Sequence, residues 1–526
     1  MVGILSTASD FNPCHGNAKQ LAEHIANGVR LAGGLPFVFP TISIHESFSF
    51  PTSMLLRNLM SMDTEEMIRA QPMDSVVLMG GCDKTLPAQL MGAVSANRPA
   101  VMLVGGPMMT GRHQGERLGA CTDCRRFWAK YRAGAIDENE INQIEGNLAT
   151  TAGTCAVMGT ASTMACIVEA LGMILPGTAA IPAVHADRLR AAEATGALAV
   201  RLIGSDLTPQ RIVNTRSVEN ALRVLLAIGG STNAIIHLTA IAGRAGVPVS
   251  LERLNELSDT TPVLVNLKPV GNGYMEDFFA GGGMGALLRE IKDLLHLDCM
   301  TITGETLGQR LEAESAAWVD RTVIAPRTEP LEAEGGLVAL FGNLAPKGAI
   351  LKRSAADSKL FELEGRAVVF TSLADLAARI DDPNLDVEAN DILVLQNAGP
   401  HSTSAMPEAG YLPIPKKLAT RGVKDMVRVS DARMSGTAFG TIVLHVTPDA
   451  ASGGLLGLVR NGDRIRLSVK ERRIDLLVDA AEIKKREAAR EKPPQTPERG
   501  YSRLYAKEIT GADQGCDFEF LRPRQA

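Results

Sequence analysis

Ser75-Val76-Val77-Leu78-Met79-Gly80-Gly81-Cys82-Asp83-Lys84-Thr85 runs from an unbroken apolar stretch through a glycine pair to a thiol, two opposite charges and a hydroxyl. An apolar run of this length with no polar alternation reads as a strand buried on both faces, the pattern of a parallel sheet. The residues after it then form the loop at the strand's carboxyl end, where open α/β sheets bind their ligands. Val2–Ser6 and Ala100–Gly105 are runs of the same kind. Gly16–Leu31 carries Leu21, Ala22, Ile25, Ala26 and Val29 at the spacing of one helix face. Strand, loop and helix recur in this way, which predicts a doubly wound α/β domain over residues 1–330.

Beyond it the pattern changes. Gly335-Gly336, Gly342 and Gly348 punctuate short apolar stretches. Arg464–Val469 alternates Ile465, Leu467 and Val469 with polar neighbours, after a turn signal at Asn461-Gly462-Asp463. Arg473–Val478 is a similar, less strictly alternating run. A β-rich domain is therefore expected from residue 331, its strands ending near 480. A charged helix (Ala480–Lys492), a Pro-rich turn (Pro493-Pro494, Pro497) and a charged tail complete the chain to residue 526.

The bulk composition excludes several classes of function. The chain has 526 residues, 45% of them hydrophobic and 21% charged, as in ordinary soluble globular proteins. A net charge of −5 gives no electrostatic case for nucleic acid. No apolar run is long enough to span a bilayer, and the first residues lack a basic n-region, so a cytoplasmic protein is expected. Eight cysteines in a chain of this length are too sparse for a disulfide scaffold.

Cys14, Cys82 and Cys155 share a context. Each lies in a turn rich in small or polar residues, at or near an expected helix N-terminus: Asn12-Pro13-Cys14-His15-Gly16-Asn17, Gly80-Gly81-Cys82 and Ala152-Gly153-Thr154-Cys155, the last leading into an apolar helix over Met158–Leu175. There the helix dipole favours the thiolate, the form that binds metal. The three are far apart along the chain, so the fold would have to assemble them; otherwise they are separate small residues in tight turns. Three thiolates would leave an iron–sulfur cluster one protein ligand short of the usual four. An open iron site can act as a Lewis acid, which suits a hydroxide leaving group. Cys121-Thr122-Asp123-Cys124 is a lone CxxC that could bind metal or cycle redox, but nothing around it is thioredoxin-like, and it reads better as structural. Cys166, Cys299 and Cys516 read as packing or surface residues.

Asp83 and Lys84 share the loop of Cys82. They could help to hold Mg²⁺, which prefers oxygen ligands, or simply cap a helix. The lysine could contribute only after carbamylation, because an ammonium has no lone pair to offer. Glu46, in Ser43-Ile44-His45-Glu46-Ser47, and Glu408, in Ser404-Ala405-Met406-Pro407-Glu408, each read alone as surface carboxylates. Val429–Thr437 is dense in small and polar groups between apolar strands and could present Ser435 and Thr437 on a tight turn. No histidine base is evident for Ser435, so it is not a triad nucleophile. Gly229-Gly230-Ser231-Thr232-Asn233 and Ala280-Gly281-Gly282-Gly283 fit neither the dinucleotide nor the phosphate-loop pattern.

Taken together and in order, Asn12–His15, Gly81–Thr85, Gly153–Cys155, Gly229–Asn233, Gln396-Asn397-Ala398-Gly399-Pro400 and Ser430-Asp431-Ala432-Arg433-Met434-Ser435-Gly436 resemble the dihydroxy-acid and sugar-acid dehydratase family across nearly the whole chain. The resemblance implies an α/β domain followed by a β-rich, barrel-like domain with the site between them, usually in a homodimer or homotetramer. It implies that Cys14, Cys82 and Cys155 hold an iron–sulfur cluster, [2Fe–2S] in the sugar-acid branch, with [4Fe–4S] the other form. It implies that Glu46, Asp83, carbamylated Lys84 and Glu408 surround Mg²⁺. Ser435 would be the base, as an alkoxide, with Thr437 beside it. Ser404–Glu408, the following Leu412–Lys417 and the Ser430–Gly436 stretch look like the aldonate dehydratases; the branched-chain biosynthetic enzymes more often show Asp-Gly-Arg-Phe-Ser-Gly in the last. The implied reaction converts an aldonate such as a pentonate to a 2-keto-3-deoxy acid. The rival readings are the 2,3-dihydroxy-acid dehydratase of branched-chain amino-acid synthesis and a non-catalytic iron–sulfur protein, which would need a more complete ligand set. Family members usually carry an arm before the first strand, whereas this sequence starts almost at that strand, a departure that bears on subunit packing and substrate closure.

Overall fold

A computed structural model describes residues 1–313, 318–490 and 497–523. Four parallel strands, β1 (Val2–Ser6), β2 (Pro36–Pro40), β3 (Ser75–Gly80) and β4 (Ala100–Val104), form a sheet in the order β2-β1-β3-β4. Every residue of β1, β3 and β4 is buried, as their continuous apolar runs require of strands covered on both faces. β2 is an edge strand, mostly exposed and bounded by Pro36 and Pro40.

Helix α1 (Ala18–Leu31) buries Leu21, Ala22, Ile25, Ala26 and Val29, the stripe expected from their spacing. It starts two residues later than the pattern suggests, after Asn17, whose side-chain Nδ2 donates to the Gly105 and Ala183 carbonyls and so ties the helix start to two neighbouring loops. α1 lies directly against the helix Ala186–Arg201. A Cβ at Gly28 would fall 1.9 Å from the Glu193 carbonyl oxygen, and one at Gly196 would fall 2.1 Å from that of Ile25, so only glycines allow this approach. Helices α2 (Ser53–Ala70) and α3 (Thr85–Ala96) follow β2 and β3. The loops leaving the carboxyl ends of β1, β2 and β3 carry Cys14, then His45 and Glu46, then Cys82, Asp83 and Lys84. A hairpin of β5 (Gly111–His113) and β6 (Glu116–Leu118) then leads to helix α4 (Thr122–Arg132).

The second sheet has eight strands: β7 (Val338–Leu340), β8 (Ala349–Leu351), β9 (Glu362–Phe370), β10 (Ile392–Leu395), β11 (Arg428–Ser430), β12 (Ile442–Leu444), β13 (Arg464–Ser468) and β14 (Arg473–Leu476). Their order is β14-β13-β9-β10-β11-β12-β8-β7, parallel from β9 to β12 and antiparallel on either side. Phe341, just after β7, donates to the Arg472 carbonyl at 2.8 Å and accepts from the Ile474 amide at 2.7 Å, so the two edges meet and the sheet is barrel-like. Alternation sorts the side chains: Ala367 and Val369 join Val394, Val429, Val443, Ile465 and Leu467 inside, while Val368 and Phe370 face a second cluster with Leu393 and Leu395. The interior is thus packed with side chains. Ala339 and Ile350, on the outer face of β7 and β8, belong to the core of the α/β domain. That face is the seam joining the two domains.

The charged helix runs over Ala480–Ala488. Pro493-Pro494 lies outside the described residues. The C-terminal segment turns back onto the first domain. In it the helix Gly500–Glu508 buries Tyr505, which clusters with Phe518, Met54 and Ile236. Arg57 donates to the Gly515 and Cys516 carbonyls at 2.9 and 2.6 Å. Arg244 forms a bidentate pair with Asp517, both side chains fully buried. Among the described residues no helix is long and apolar enough to cross a membrane.

Candidate metal centre

Cys14 sits in a single 3-10 turn, Pro13–His15, at the carboxyl end of β1. The next residue, His15, is buried and holds the neighbouring loop. Its Nδ1 is 2.9 Å from the Thr7 carbonyl and its Nε2 accepts from the Cys82 amide at 3.0 Å. Those partners assign the Nδ1–H tautomer. Burial pushes its pKa down to about 4, so the ring stays neutral. Asn12 ties the same loop to the next by donating to Ser43 Oγ and the Ile44 carbonyl, both at 3.1 Å. These contacts bring Cys14, His45 and Cys82 together, with their ligand atoms all within 4.8 Å of one another. The Cys14 thiol is lowered to about 6, chiefly because Cys82 donates a hydrogen bond to its thiolate, with His45 adding to the effect against burial. Cys82, as donor, is raised.

Cys155 is paired differently. Its sulfur lies 3.7 Å from that of Cys121, which caps the N-terminus of α4. Here Cys121 is lowered by a hydrogen bond from Cys155, and Cys155 is raised. The thiols of the site thus fall into two pairs, each with one member disposed to ionise. Sequence alone reads Cys121 with its CxxC as structural; in the structure its sulfur lies against that of Cys155, while burial raises the pKa of Cys124 to about 11. Cys166, Cys299 and Cys516 are buried packing residues.

The carboxylates converge on Lys84. Its side chain is fully buried, and its Nζ lies 3.5 Å from Glu46, 3.6 Å from Asp83 and 3.7 Å from Glu408. None of these is a hydrogen bond, and the Nζ has no hydrogen-bond partner among the described residues. Glu46 also accepts from Thr52 Oγ1 at 2.8 Å and from Ser53 Oγ. Arg433, buried, donates to Glu408 at 2.6 Å, to Glu46 at 2.8 Å and to Thr52 at 2.9 Å. Burial would raise the Glu46 carboxyl, but Arg433 and Lys84 outweigh it and hold the group well below the usual carboxylate range. At Glu408 burial prevails over the same two cations and the pKa is raised.

Ser435 and Thr437 lie on the loop between β11 and β12, with their hydroxyls 2.9 Å apart. Thr122, in the first turn of α4, donates to the Thr437 carbonyl at 2.9 Å. A Cβ at Gly159 would lie 3.0 Å from Thr437 Cγ2 and 3.9 Å from Cys155 Cβ, so Thr437 and Cys155 flank the same glycine. The Gly229–Asn233 loop supports this side: Asn233 Nδ2 donates to Glu408 at 3.2 Å and to Thr160 at 3.1 Å, and Thr160 bonds Ser231 at 2.9 Å. The sequence reading quoted both this loop and Arg433 but gave neither a role. A lone arginine among small residues between two apolar strands was the available signal, since such a cation must be buried with partners.

Cys14, Cys82, Glu46, Asp83, Lys84 and Glu408 are therefore gathered through direct or shared contacts. Cys155 lies close enough for Cys14 and Asp83 to act on its thiol by charge, and Thr437, with Ser435, adjoins it through Thr122 and Gly159. Soft thiols on one side and hard carboxylate oxygens on the other suit two different kinds of metal. The buried, unpartnered Lys84 Nζ among three carboxylates fits a lysine that carries a further group.

Two family models match the chain: dihydroxy-acid/6-phosphogluconate dehydratase N-terminal over residues 1–310, and the corresponding C-terminal model over residues 322–516. An L-arabinonate dehydratase of Rhizobium leguminosarum bv. trifolii is 45% identical over 99% of this chain and 90% of its own length. A 6-deoxy-6-sulfo-D-gluconate dehydratase of Pseudomonas putida is 42% identical over 100% and 91%. A dihydroxy-acid dehydratase of Pyrococcus abyssi is 37% identical over 98% and 94%.

Proposed function

The chain belongs to the dihydroxy-acid/6-phosphogluconate dehydratase family, and from that premise we propose that it removes water from an aldonate to give a 2-keto-3-deoxy acid. The observation that carries the choice of substrate class is the identity gradient. Relatives named for sugar-acid substrates share 42–46% identity, against 34–37% for those named dihydroxy-acid dehydratases. Pentonates head the candidate substrates.

In this reading Cys14, Cys82 and Cys155 hold a [2Fe–2S] cluster, and Glu46, Asp83, carbamylated Lys84 and Glu408 hold Mg²⁺. The convergence of Cys14 with Cys82 and of three carboxylates on Lys84 supports it. When bound, the two would supply electrophilic centres, one for the departing C3 hydroxyl and one for the carboxylate and C2 hydroxyl. The hydrogen on C2 is barely acidic, so a base must be ready beside it. Ser435 takes that proton, with its oxygen oriented by the Thr437 hydroxyl 2.9 Å away. Arg433 holds both Glu46 and Glu408 in direction by hydrogen bonds and favours the ionised form of Glu46. As the C2–H bond breaks, its electron pair forms the C2–C3 double bond and the C3–O bond breaks; the departing hydroxide becomes water with the proton that the Ser435 alkoxide took from C2, which restores the alkoxide, and the resulting enol tautomerises to the ketone. The reading includes a homodimer or homotetramer in the cytoplasm.

The test is anaerobic purification with a visible spectrum and iron and sulfide assays, then an aldonate panel with Mg²⁺ scored for 2-keto acid. A brown protein that produces 2-keto-3-deoxy acids is the expected result. A colourless protein that stays inactive after cluster reconstitution would overturn it. The second reading, turnover of 2,3-dihydroxyisovalerate, has the dihydroxy-acid relatives in its favour and is tested in the same panel.

A further inference from the structure

Arg125 is an arginine to which the proposed reaction gives no task. It lies one turn after Thr122 on α4, and residues three apart share a helix face. That face is docked on the Ser435–Thr437 loop by the bond from Thr122 to the Thr437 carbonyl. The Arg125 guanidinium carbon lies 4.9 Å from the centroid of the Tyr411 ring. Tyr411 follows Gly410, whose amide donates to the Arg433 carbonyl at 2.9 Å, in the segment that presents Glu408. Arg125 is thus held between the serine loop and the Glu408 segment, on the flank of Cys121 and Cys155.

Neighbouring arginines are committed to carboxylates. Arg126 pairs with Glu116 and Asp123, Arg117 with Asp277, Arg428 with Asp425, and Arg433 with Glu46 and Glu408. Among the described residues Arg125 has no carboxylate partner, and its buried Nε has no hydrogen-bond partner. A permanently charged, partly buried fork of donors, braced on one side by an aromatic ring, is matched by oxygen acceptors that arrive with a ligand.

We propose that Arg125, braced by Tyr411, is a specificity-determining residue that hydrogen-bonds the oxygen substituents beyond C3 of the sugar acid. The inference rests on the aldonate reading above. There the substrate's carboxylate end belongs with Glu46, Asp83, Lys84 and Glu408, and C3 with the thiols. A cation one turn along α4 from Cys121, beside the thiols, is then in place to meet the rest of the carbon chain. An acid with no oxygen beyond C3 has nothing for it to hold.

The test compares wild-type holoenzyme with Arg125→Gln and Arg125→Lys. The ligands are a pentonate, a hexonate and 2,3-dihydroxyisovalerate, the last measured as substrate or competitive inhibitor, with iron and sulfide assayed in each preparation. Arg125→Gln should raise KM for the aldonates by about 10- to 100-fold, the loss of charge-assisted hydrogen bonds, with kcat changing far less. The constant for 2,3-dihydroxyisovalerate should move less than about two-fold on the same basis, iron content should hold, and Arg125→Lys should recover part of the loss. Equal weakening for all three acids, or loss of iron, would overturn the assignment and make Arg125 a support for the site. Aldonate constants equal to those of wild type would overturn it while leaving the aldonate reading intact. A wild-type enzyme that turns over no aldonate would remove that reading and this inference with it.

Discussion

Cys14, Cys82, Cys121 and Cys155 all reach the site on loops of the α/β domain, whereas Glu46, Asp83 and Lys84 meet Glu408 and Arg433 from the barrel. The sulfur flank is local. His15 and Asn12 join neighbouring loops at one sheet edge, and the thiols lie in two pairs, Cys14 with Cys82 and Cys121 with Cys155. The oxygen flank is a charge cluster that exists only when the two domains are docked, with buried cations and carboxylates from both sides. The contrast teaches that the oxygen flank is complete only when the domains are docked, because Glu408 and Arg433 reach Lys84 and Glu46 across the seam. The sulfur flank needs no such docking.

The largest expected effect lies on the sulfur flank. Cys82→Ser should abolish the visible chromophore and lower turnover by more than about 10³-fold, since each tenfold corresponds to about 1.4 kcal/mol and an electrophile is lost. A variant that keeps both colour and activity would remove Cys82 from the site. On the oxygen flank, Arg433→Met should destabilise the protein by about 3–5 kcal/mol, because Glu46 and Glu408 would remain buried with one cation fewer. Denaturant midpoints measure this, and a near-neutral result would break the claim that this flank depends on docking.

Lys352 tests the floor beneath the Ser435 loop. It is fully buried and donates weakly to the Gly436 carbonyl at 3.4 Å, and burial alone lowers its pKa to about 7. Between pH 7 and the usual lysine value the unfolded chain binds the extra proton, so stability should rise with pH through that window; the cost of charging the buried amine is fully present below it. Lys352→Met should flatten this dependence and stabilise the protein at pH 7 by on the order of a few kcal/mol. Unchanged pH dependence of the unfolding midpoint would show that a counter-charge reaches the amine. The smallest effect is expected from Cys121→Ser, which should leave iron per chain unchanged, since the ligands in the proposed reading are Cys14, Cys82 and Cys155. Loss of iron would instead make Cys121 a ligand and redraw the sulfur flank.

Much of the architecture was legible along the chain. Continuous apolar runs marked β1, β3 and β4, the helical stripe of α1 was visible residue by residue, and alternation marked β13, with β14 a less strictly alternating run. Barrel closure was legible only through the family resemblance, because the bridge between Phe341 and Arg473 joins residues with no local pattern in common. The C-terminal segment read as a charged tail, yet Arg57, Arg244 and Asp517 bury its last turns against the first domain, a pairing visible only between distant residues.

At the site the division follows the range of the interactions. Residue type and turn context, which depend on neighbours in sequence, were enough to nominate Cys14, Cys82 and Cys155 as candidate ligands. The sequence also determined, through its ordered motifs, the family to which the chain belongs. Only the tertiary structure decided that Cys155 faces Cys121, that Arg433 bridges Glu46 and Glu408, and that Asn233 steadies Glu408. Each of these is a pairing of groups far apart along the chain, and their geometry is set by how the sheet edge and the barrel meet.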